Sequence, residues 1–280
     1  MTDNKKTTTV IFSKNRAMQL DLLLRTLFFC CEDILKLSDI NVLYLVEGDH
    51  KESYEILKKD YPQVNFVEEK SFKEDLLSFL PHKTSILFLC DDSVATEKFS
   101  LEKVLENLNS SEDNIGFSLR LGRNTTKCFP YGDANQNIPE MTLVHDNVYT
   151  YQWKPAELDY GYPFEISSSV FRMDAVLSML DSMEYSNPNT LEASMVTNTD
   201  YFAIDKSLLL CFEKSVLFSN AINRVQTYNQ NRAGDVNVDD LLKYFMEGKR
   251  MDSSIFYHYE NHGAHELVDV PLVERCDDNT

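Results

Sequence analysis

Short apolar runs and amphipathic stretches alternate four times within the first 110 residues. "TTTVIFS" (7–13), "INVLYLVEG" (40–48), "VNFVEE" (64–69) and "SILFLC" (85–90) have the length and the β-branched or apolar content of strands. After the first comes "KNRAMQLDLLLRTLFFCC", where Leu20, Leu23, Leu24, Leu27, Phe28 and Cys31 share one helical face. "KESYEILKKDYP" reads as a polar-faced helix ended by Pro62, and "FKEDLLSFL" as a short one. "LEKVLENL" places Leu101, Val104, Leu105 and Leu108 together. Strand and helix in turn predict an α/β fold with a mostly parallel central sheet flanked by helices. The unbroken apolar runs suit strands covered on both faces.

The second half is more elaborate. "NIGFSLRLG" (114–122) reads as a strand, and "MTLVHDNVYTYQW" (141–153) as a half-exposed one. "GYPFEISSSVFRM" (161–173) gives a turn and then a strand, and "SLLLCFEKSVLF" (207–218) a strand region. Val176, Met179, Leu180 and Met183 mark a helix, "NPNTLEASM" opens another, and Val238, Leu241, Leu242 and Phe245 mark a third. "TYNQNRAGD" (227–235) is polar without apolar period and reads as a mobile loop. With no repeat and no low-complexity linker, one domain over 1–280 is expected.

A net charge of −18 argues against a nucleic-acid binder, which needs a basic face. It also argues against docking on anionic lipid. An anionic ligand would need a local basic patch or a metal. The six cysteines, Cys30, Cys31, Cys90, Cys128, Cys211 and Cys276, form no CxxC pair and read as reduced, mostly buried thiols. The N-terminus has no signal-peptide core, and the longest apolar stretch is too short to span a bilayer. A cytoplasmic protein is expected, touching membranes only through partners.

The run "SILFLC" ends on Asp91-Asp92. Two adjacent carboxylates cannot stay charged in a dry core. At the carboxyl end of a strand in a parallel sheet they can meet water, a sugar hydroxyl or a hard cation. The alternative is an N-cap for the following helix. The first strand ends comparably in Ser13-Lys14-Asn15-Arg16, a basic turn at a helix start, where anions are favoured. GxGxxG and GxxxxGK[ST] are both absent, which lowers dehydrogenase and P-loop readings.

"TVIFSKNRAMQLDLLLRTL" followed by "LFLCDDSV" resembles the opening half of a GT-A-fold, family-2-like glycosyltransferase. "GFSLRLGRNT", "DYGYPFEISSSVF", "NPNTLE" and "NQNRAG" resemble a bacterial surface-glycan branch of that family. The resemblance spans roughly residues 8 to 265. It implies a nucleotide-sugar-binding half near 7–123 and an acceptor-binding half near 124–270. Ser13, Lys14, Asn15 and Arg16 would then line the nucleotide pocket. Asp91 would meet ribose or metal, and Asp92 would bind Mn²⁺ or Mg²⁺ directly. The third position of a strict DxD motif is Ser93 here, a weaker ligand than a carboxylate. Ser167-Ser168 stands where related sequences often carry Asp-Gly.

A departing diphosphate needs positive charge aimed at it. Arg120, Arg123 and Arg232 are candidates. An inverting transfer needs a base for the acceptor hydroxyl, and Asp159, Glu165 and Glu192 qualify; a retaining one does not. "YHYENHGAHE" (257–266) lacks HExxH, but His258 could approach the donor metal. Tyr149, Tyr151 and Trp153 alternate, as either an acceptor platform or ordinary sheet packing. The expected function is metal-assisted transfer from a nucleotide sugar, a UDP-sugar, to a carbohydrate or glycoconjugate hydroxyl. The alternatives are a sugar-nucleotide nucleotidyltransferase, which should carry a Gly-rich first loop, and a non-catalytic binder of nucleotide sugar or a partner protein. Donor sugar, acceptor, stereochemistry and oligomeric state are not legible in the residues.

Overall fold

The computed structural model describes residues 5–202, 205–228 and 232–275, with only the backbone of Phe202. A nine-stranded mixed sheet organises them. Its strands in chain order are β1 (Thr7–Lys14), β2 (Ser38–Leu45), β3 (Asn65–Glu68), β4 (Ser85–Cys90) and β5 (Asn114–Ser118). They continue with β6 (Thr142–His145), β7 (Val148–Gln152), β8 (Ser169–Arg172) and β9 (Leu208–Phe212). Across the sheet the order is β3-β2-β1-β4-β8-β5-β9-β7-β6. The first four are parallel, β8 runs against both its neighbours, and β5 and β9 are again parallel to each other.

Both faces are covered, so alternate residues enter separate apolar clusters. Ile11, Leu87 and Leu89 join one; Val10, Phe12, Ile86 and Phe88 join the other. Helices α1 (Ala17–Cys30) and α2 (Lys51–Asp60) send Leu20, Leu23, Leu27, Tyr54 and Leu57 to the first cluster. Helix α3 (Phe72–Ser78) sends Phe72 and Leu76 to the second. The crossover into β4 therefore packs on the opposite face from those after β1 and β2. This makes the gap between β1 and β4 a topological switch point, where open α/β sheets bind ligands at their carboxyl ends. Helix α4 (Leu101–Leu108) returns to the first cluster, while α5 (Met173–Ser182) and α6 (Pro188–Thr197) lie on the second. Helix α7 (Val238–Met246) packs Leu241 and Phe245 on the first.

Two expected strands are broken. The 141–153 stretch is a hairpin, with β6 and β7 joined through Asp146 at φ 47°. Asp tolerates that left-handed conformation because its short polar side chain can bond locally. The 207–218 region divides into β9 and the strand Leu217–Asn220. The latter belongs to a three-stranded sheet with Ser93–Ala95 and His265–Glu266. Cys30, Cys31, Cys128 and Cys211 are buried, Cys90 is half-buried, and all five are free thiols; Cys276 lies outside the described residues. Among the described residues no helix is long and apolar enough to cross a membrane.

Candidate functional site

The parallel register of β1 and β4 pairs Phe12 with Cys90, and Asp91 N donates to Phe12 O at 3.0 Å. The ends of the two strands are thus level, and the acid pair meets the basic turn. Asp91 is buried and accepts from Ser13 Oγ (2.9 Å), Lys14 N (3.1 Å) and Arg16 Nη1 (2.9 Å). Arg16 Nη1 also reaches Asp92 Oδ2 at 3.2 Å, and Nη2 donates to Asn223 O at 2.5 Å. Burial acts to lower the pKa of Arg16, but Asp91 and Asp92 outweigh it and the net shift is upward. One buried guanidinium therefore compensates two carboxylates, which is why an apolar strand can end on them.

The two acids are not equivalent. Asp91 has its oxygens committed to three donors, so it supports the turn, and the expected metal contact there is displaced by Arg16. Asp92 faces the cleft with 19% of its side chain exposed. Burial lifts its pKa to about 6, with Arg16 pulling down and Asp91 pushing up. It is a carboxylate short of positive charge. Ser93 is fully buried and donates to Ser167 O at 2.8 Å, away from the cleft. The N-cap alternative does not apply. The next helix starts at Leu101 and is capped by Ser100, whose hydroxyl accepts from Lys103 N.

The remaining residues of the first turn divide. Ser13 Oγ lies 2.5 Å from Tyr54 Oη, and Lys14 Nζ donates to Glu47 at 3.2 Å. Both line the cleft with Arg16. Asn15, at φ 54°, instead accepts from Glu47 N at 2.9 Å and does not line it.

The cleft has a volume of about 900 Å³ and runs from this acid pair to a second cluster around Arg120. Arg120 is buried, its Nε 3.7 Å from Glu165 and its Nη2 4.0 Å from Asp159. Burial opposes its charge, yet Glu165, Asp159 and Glu192 raise its pKa overall. Glu165 accepts from Ser167 N and Oγ (both 2.6 Å), Ser168 N and Oγ (both 3.0 Å) and Ser169 Oγ. Burial pushes its pKa up, but Arg120 and these serines bring it below the usual carboxylate range. So saturated a carboxylate is an anchor for the turn into β8 and a poor base. This also explains Ser167-Ser168: their hydroxyls hold Glu165.

Glu192 differs. It lines the cleft from the second turn of α6 and accepts one weak bond, from Ile166 N at 3.4 Å. Burial and then Glu165 raise its pKa to about 7, against the pull of Arg120. Such a carboxyl is poised to exchange a proton at neutral pH. Asp159 is 6% exposed, and its Oδ2 has no hydrogen-bond partner in the structure.

Several expected residues stand elsewhere. His258 faces Glu97 at 3.0 Å on the surface and does not line the cleft; the strand pairing of Ser219 with His265 brings His265 there instead. The histidine-rich "YHYENHGAHE" (257–266) carried the signal for a histidine but not for which one. Arg123 stacks on Tyr149 at 4.7 Å, outside the cleft. Tyr151 donates to Tyr160 O and Trp153 to Lys206 O, and both are core side chains. Arg232 lines the cleft, stacked on Phe129 and paired with Asp133 at 2.7 Å. Residues 229–231 of its loop lie outside the described residues. Tyr162 and Asn223 line the cleft and Tyr54 backs Ser13; no sequence signal announced them.

Among the described residues no group of three or more His, Cys, Asp or Glu side chains could hold a metal ion. Asp92 and the half-buried Glu69 bring carboxylates to the cleft beside the first turn. That donor set fits a hard cation which shares its shell with ligand phosphates and does not need a cage of protein atoms.

No family model matches the chain. A curated relative, the bifunctional glycosyltransferase pgtA of Dictyostelium discoideum, is 26% identical over 277 residues. The match covers 87% of this chain and 36% of the relative, so the chain spans about a third of that protein's length. Among solved structures, S. aureus TarS 1-349 in complex with UDP-GlcNAc is similar at TM-score 0.49 and 12% identity, over 85% of this chain and 64% of that one. The mannosyltransferase PcManGT from Pyrobaculum calidifontis, in complex with GDP-Man and Mn²⁺, is similar at TM-score 0.37 and 11% identity, over 68% and 51%. In sequence the chain is thus similar to a glycosyltransferase over most of its length, and it has the α/β fold with a mostly parallel central sheet expected from its opening half.

Proposed function

We propose that the chain transfers a sugar from a nucleotide donor, a UDP-sugar, to an acceptor hydroxyl of a carbohydrate or glycoconjugate. The observation that carries this reading is one cleft at the switch point lined by both Asp92 and Glu192, a carboxyl held near neutrality. Lys14, Arg16, Arg120, Arg224 and Arg232 also line it and offset its five carboxylates, in a chain of net charge −18. An anionic diphosphate requires such cations.

In the reaction, Glu192 takes the proton of the acceptor hydroxyl. The acceptor oxygen bonds to the anomeric carbon while the bond from that carbon to the diphosphate breaks. The electron pair leaves with the diphosphate, where Arg224 and Arg232 meet the charge. A divalent cation, Mn²⁺ or Mg²⁺, held by Asp92, would stabilise the same charge when bound. Ser13 holds Asp91, Asp91 holds Arg16, and Arg16 holds Asp92 in place. Tyr131 and Tyr228, exposed at the cleft, offer aromatic faces on the acceptor side. The halves near 7–123 and 124–270 would bind donor and acceptor.

The non-catalytic reading is favoured by one observation, the partial neutralisation of Asp92 by Arg16. Incubation with a panel of nucleotide sugars and Mn²⁺ separates the two. Release of nucleoside diphosphate from at least one donor is expected, and faster release when a glycan acceptor is added. Nucleotide binding without release from any donor would establish the non-catalytic reading, and absence of nucleotide binding would remove both.

A further inference from the structure

Resting on that reading, we infer that the transferred sugar is uncharged and hydroxyl-rich, and that the site rejects donors whose sugar carries a carboxylate. The inference comes from the wall around Arg120. The strand Leu217–Asn220 ties this wall to the acid pair, since Asn220 N donates to Asp92 O at 2.8 Å and Ser219 pairs with His265. A sugar attached to a diphosphate beside Asp92 therefore has this wall as its neighbour within the same cleft.

The wall's charge is negative. Arg120 is its one buried cation, and Glu165 at 3.7 Å and Asp159 at 4.0 Å already oppose it. Glu192 adds negative charge whenever it ionises. His265 contributes no positive charge at neutral pH, because burial, with help from Arg120, lowers its pKa to about 4 against Asp159 and Glu165. A ligand carboxylate here would face two or three protein carboxylates for one guanidinium, in surroundings that screen little.

The wall is also unsatisfied. Asp159 Oδ2 and His265 Nδ1 are buried atoms with no hydrogen-bond partner in the structure, in residues that line the cleft. Orphaned buried polar atoms are costly, and they reject ligands that cannot pair them. A sugar hydroxyl both donates and accepts, so ring hydroxyls can pair Asp159 and His265 once their side chains rotate from these closed positions into the cleft they line. A neutral hexose or N-acetylhexosamine matches both the charge and the hydrogen-bonding pattern. A hexuronic acid matches neither.

The test is a calorimetric comparison of UDP, UDP-glucose and UDP-glucuronate on the wild-type chain with Mn²⁺, repeated on Asp159→Asn. UDP-glucuronate is expected to bind at least about tenfold more weakly than UDP-glucose. Asp159→Asn should narrow that gap by strengthening UDP-glucuronate, while UDP itself binds unchanged. Equal or tighter binding of UDP-glucuronate by the wild type overturns the inference while leaving the nucleotide-sugar reading intact. So does a gap that Asp159→Asn leaves as it was. Should that variant not fold, the wild-type comparison decides alone. Failure of UDP to bind at all removes the proposed function, and this inference with it.

Discussion

Glu192→Gln is expected to slow sugar transfer by orders of magnitude and, at pH 8, to raise the melting temperature. The second half of the expectation follows from linkage. The carboxyl of Glu192 has its pKa raised from 4.5 to about 7, burial first and Glu165 next. Between those values the folded chain keeps a proton that the unfolded chain has lost. Stability therefore falls as pH rises from about 4.5 to about 7, and above that the folded state carries the whole cost of an ionised acid beside Glu165. The shift corresponds to at most roughly 3 kcal/mol, and partial solvent access reduces this to about 1–3 kcal/mol. A neutral glutamine of the same shape removes that cost, so the melting temperature at pH 8 should rise by several degrees. At pH 5, where folded Glu192 is protonated, the gain should nearly vanish. Loss of the base should lower the transfer rate by about 10²–10⁴-fold. In the wild type, the rate should climb with pH through about 7. A variant that transfers normally, or whose melting temperature falls equally at both pH values, would show that Glu192 is a structural acid.

The second large effect separates the paired aspartates. Asp91→Ala leaves Arg16 buried with one carboxylate partner, Asp92, in place of two and strips an acceptor from Ser13 and the Lys14 amide. Breaking a buried ion pair from one side costs about 3–5 kcal/mol. The melting temperature should fall by roughly ten degrees or more. Asp92→Ala leaves the Arg16–Asp91 contact intact and removes an acid whose pKa is already raised to about 6 by burial. It should shift stability by less than about 1 kcal/mol. Its expected effect is on ligand: metal-dependent binding of UDP is lost. Thermal melts and UDP titrations of both variants check this. If Asp92→Ala unfolds the protein and Asp91→Ala only weakens UDP, the roles assigned here are reversed.

The sequence carried the first half of the fold well, for a physical reason. β4 was legible to the residue because an apolar run covered on both faces has no internal polar position to blur its ends. The meeting of Ser13 with Asp91 followed from parallel strands finishing level. Arg16 was placed near the nucleotide, but its grip on both aspartates depends on the path of a four-residue turn, which no periodicity encodes. The second half was less legible because its patterns are shared by different structures. Alternation through 141–153 fits one strand or a hairpin, and only the polar Asp146-Asn147 pair marks the turn. Glu165 looked like a base by type, and its five serine contacts are visible only in three dimensions. His258 and His265 are separated by the fold alone. One extends toward Glu97, and the other is drawn to the cleft by a short strand beside Ser219.

The most direct test of the central claim is a crystal of the chain soaked with UDP and Mn²⁺. The diphosphate is expected in the cleft between the Ser13–Arg16 turn and Arg232, with the metal ion in direct contact with an Asp92 carboxylate oxygen. Nucleotide bound elsewhere on the surface, or nucleotide in this cleft with no ion at Asp92, would contradict the account.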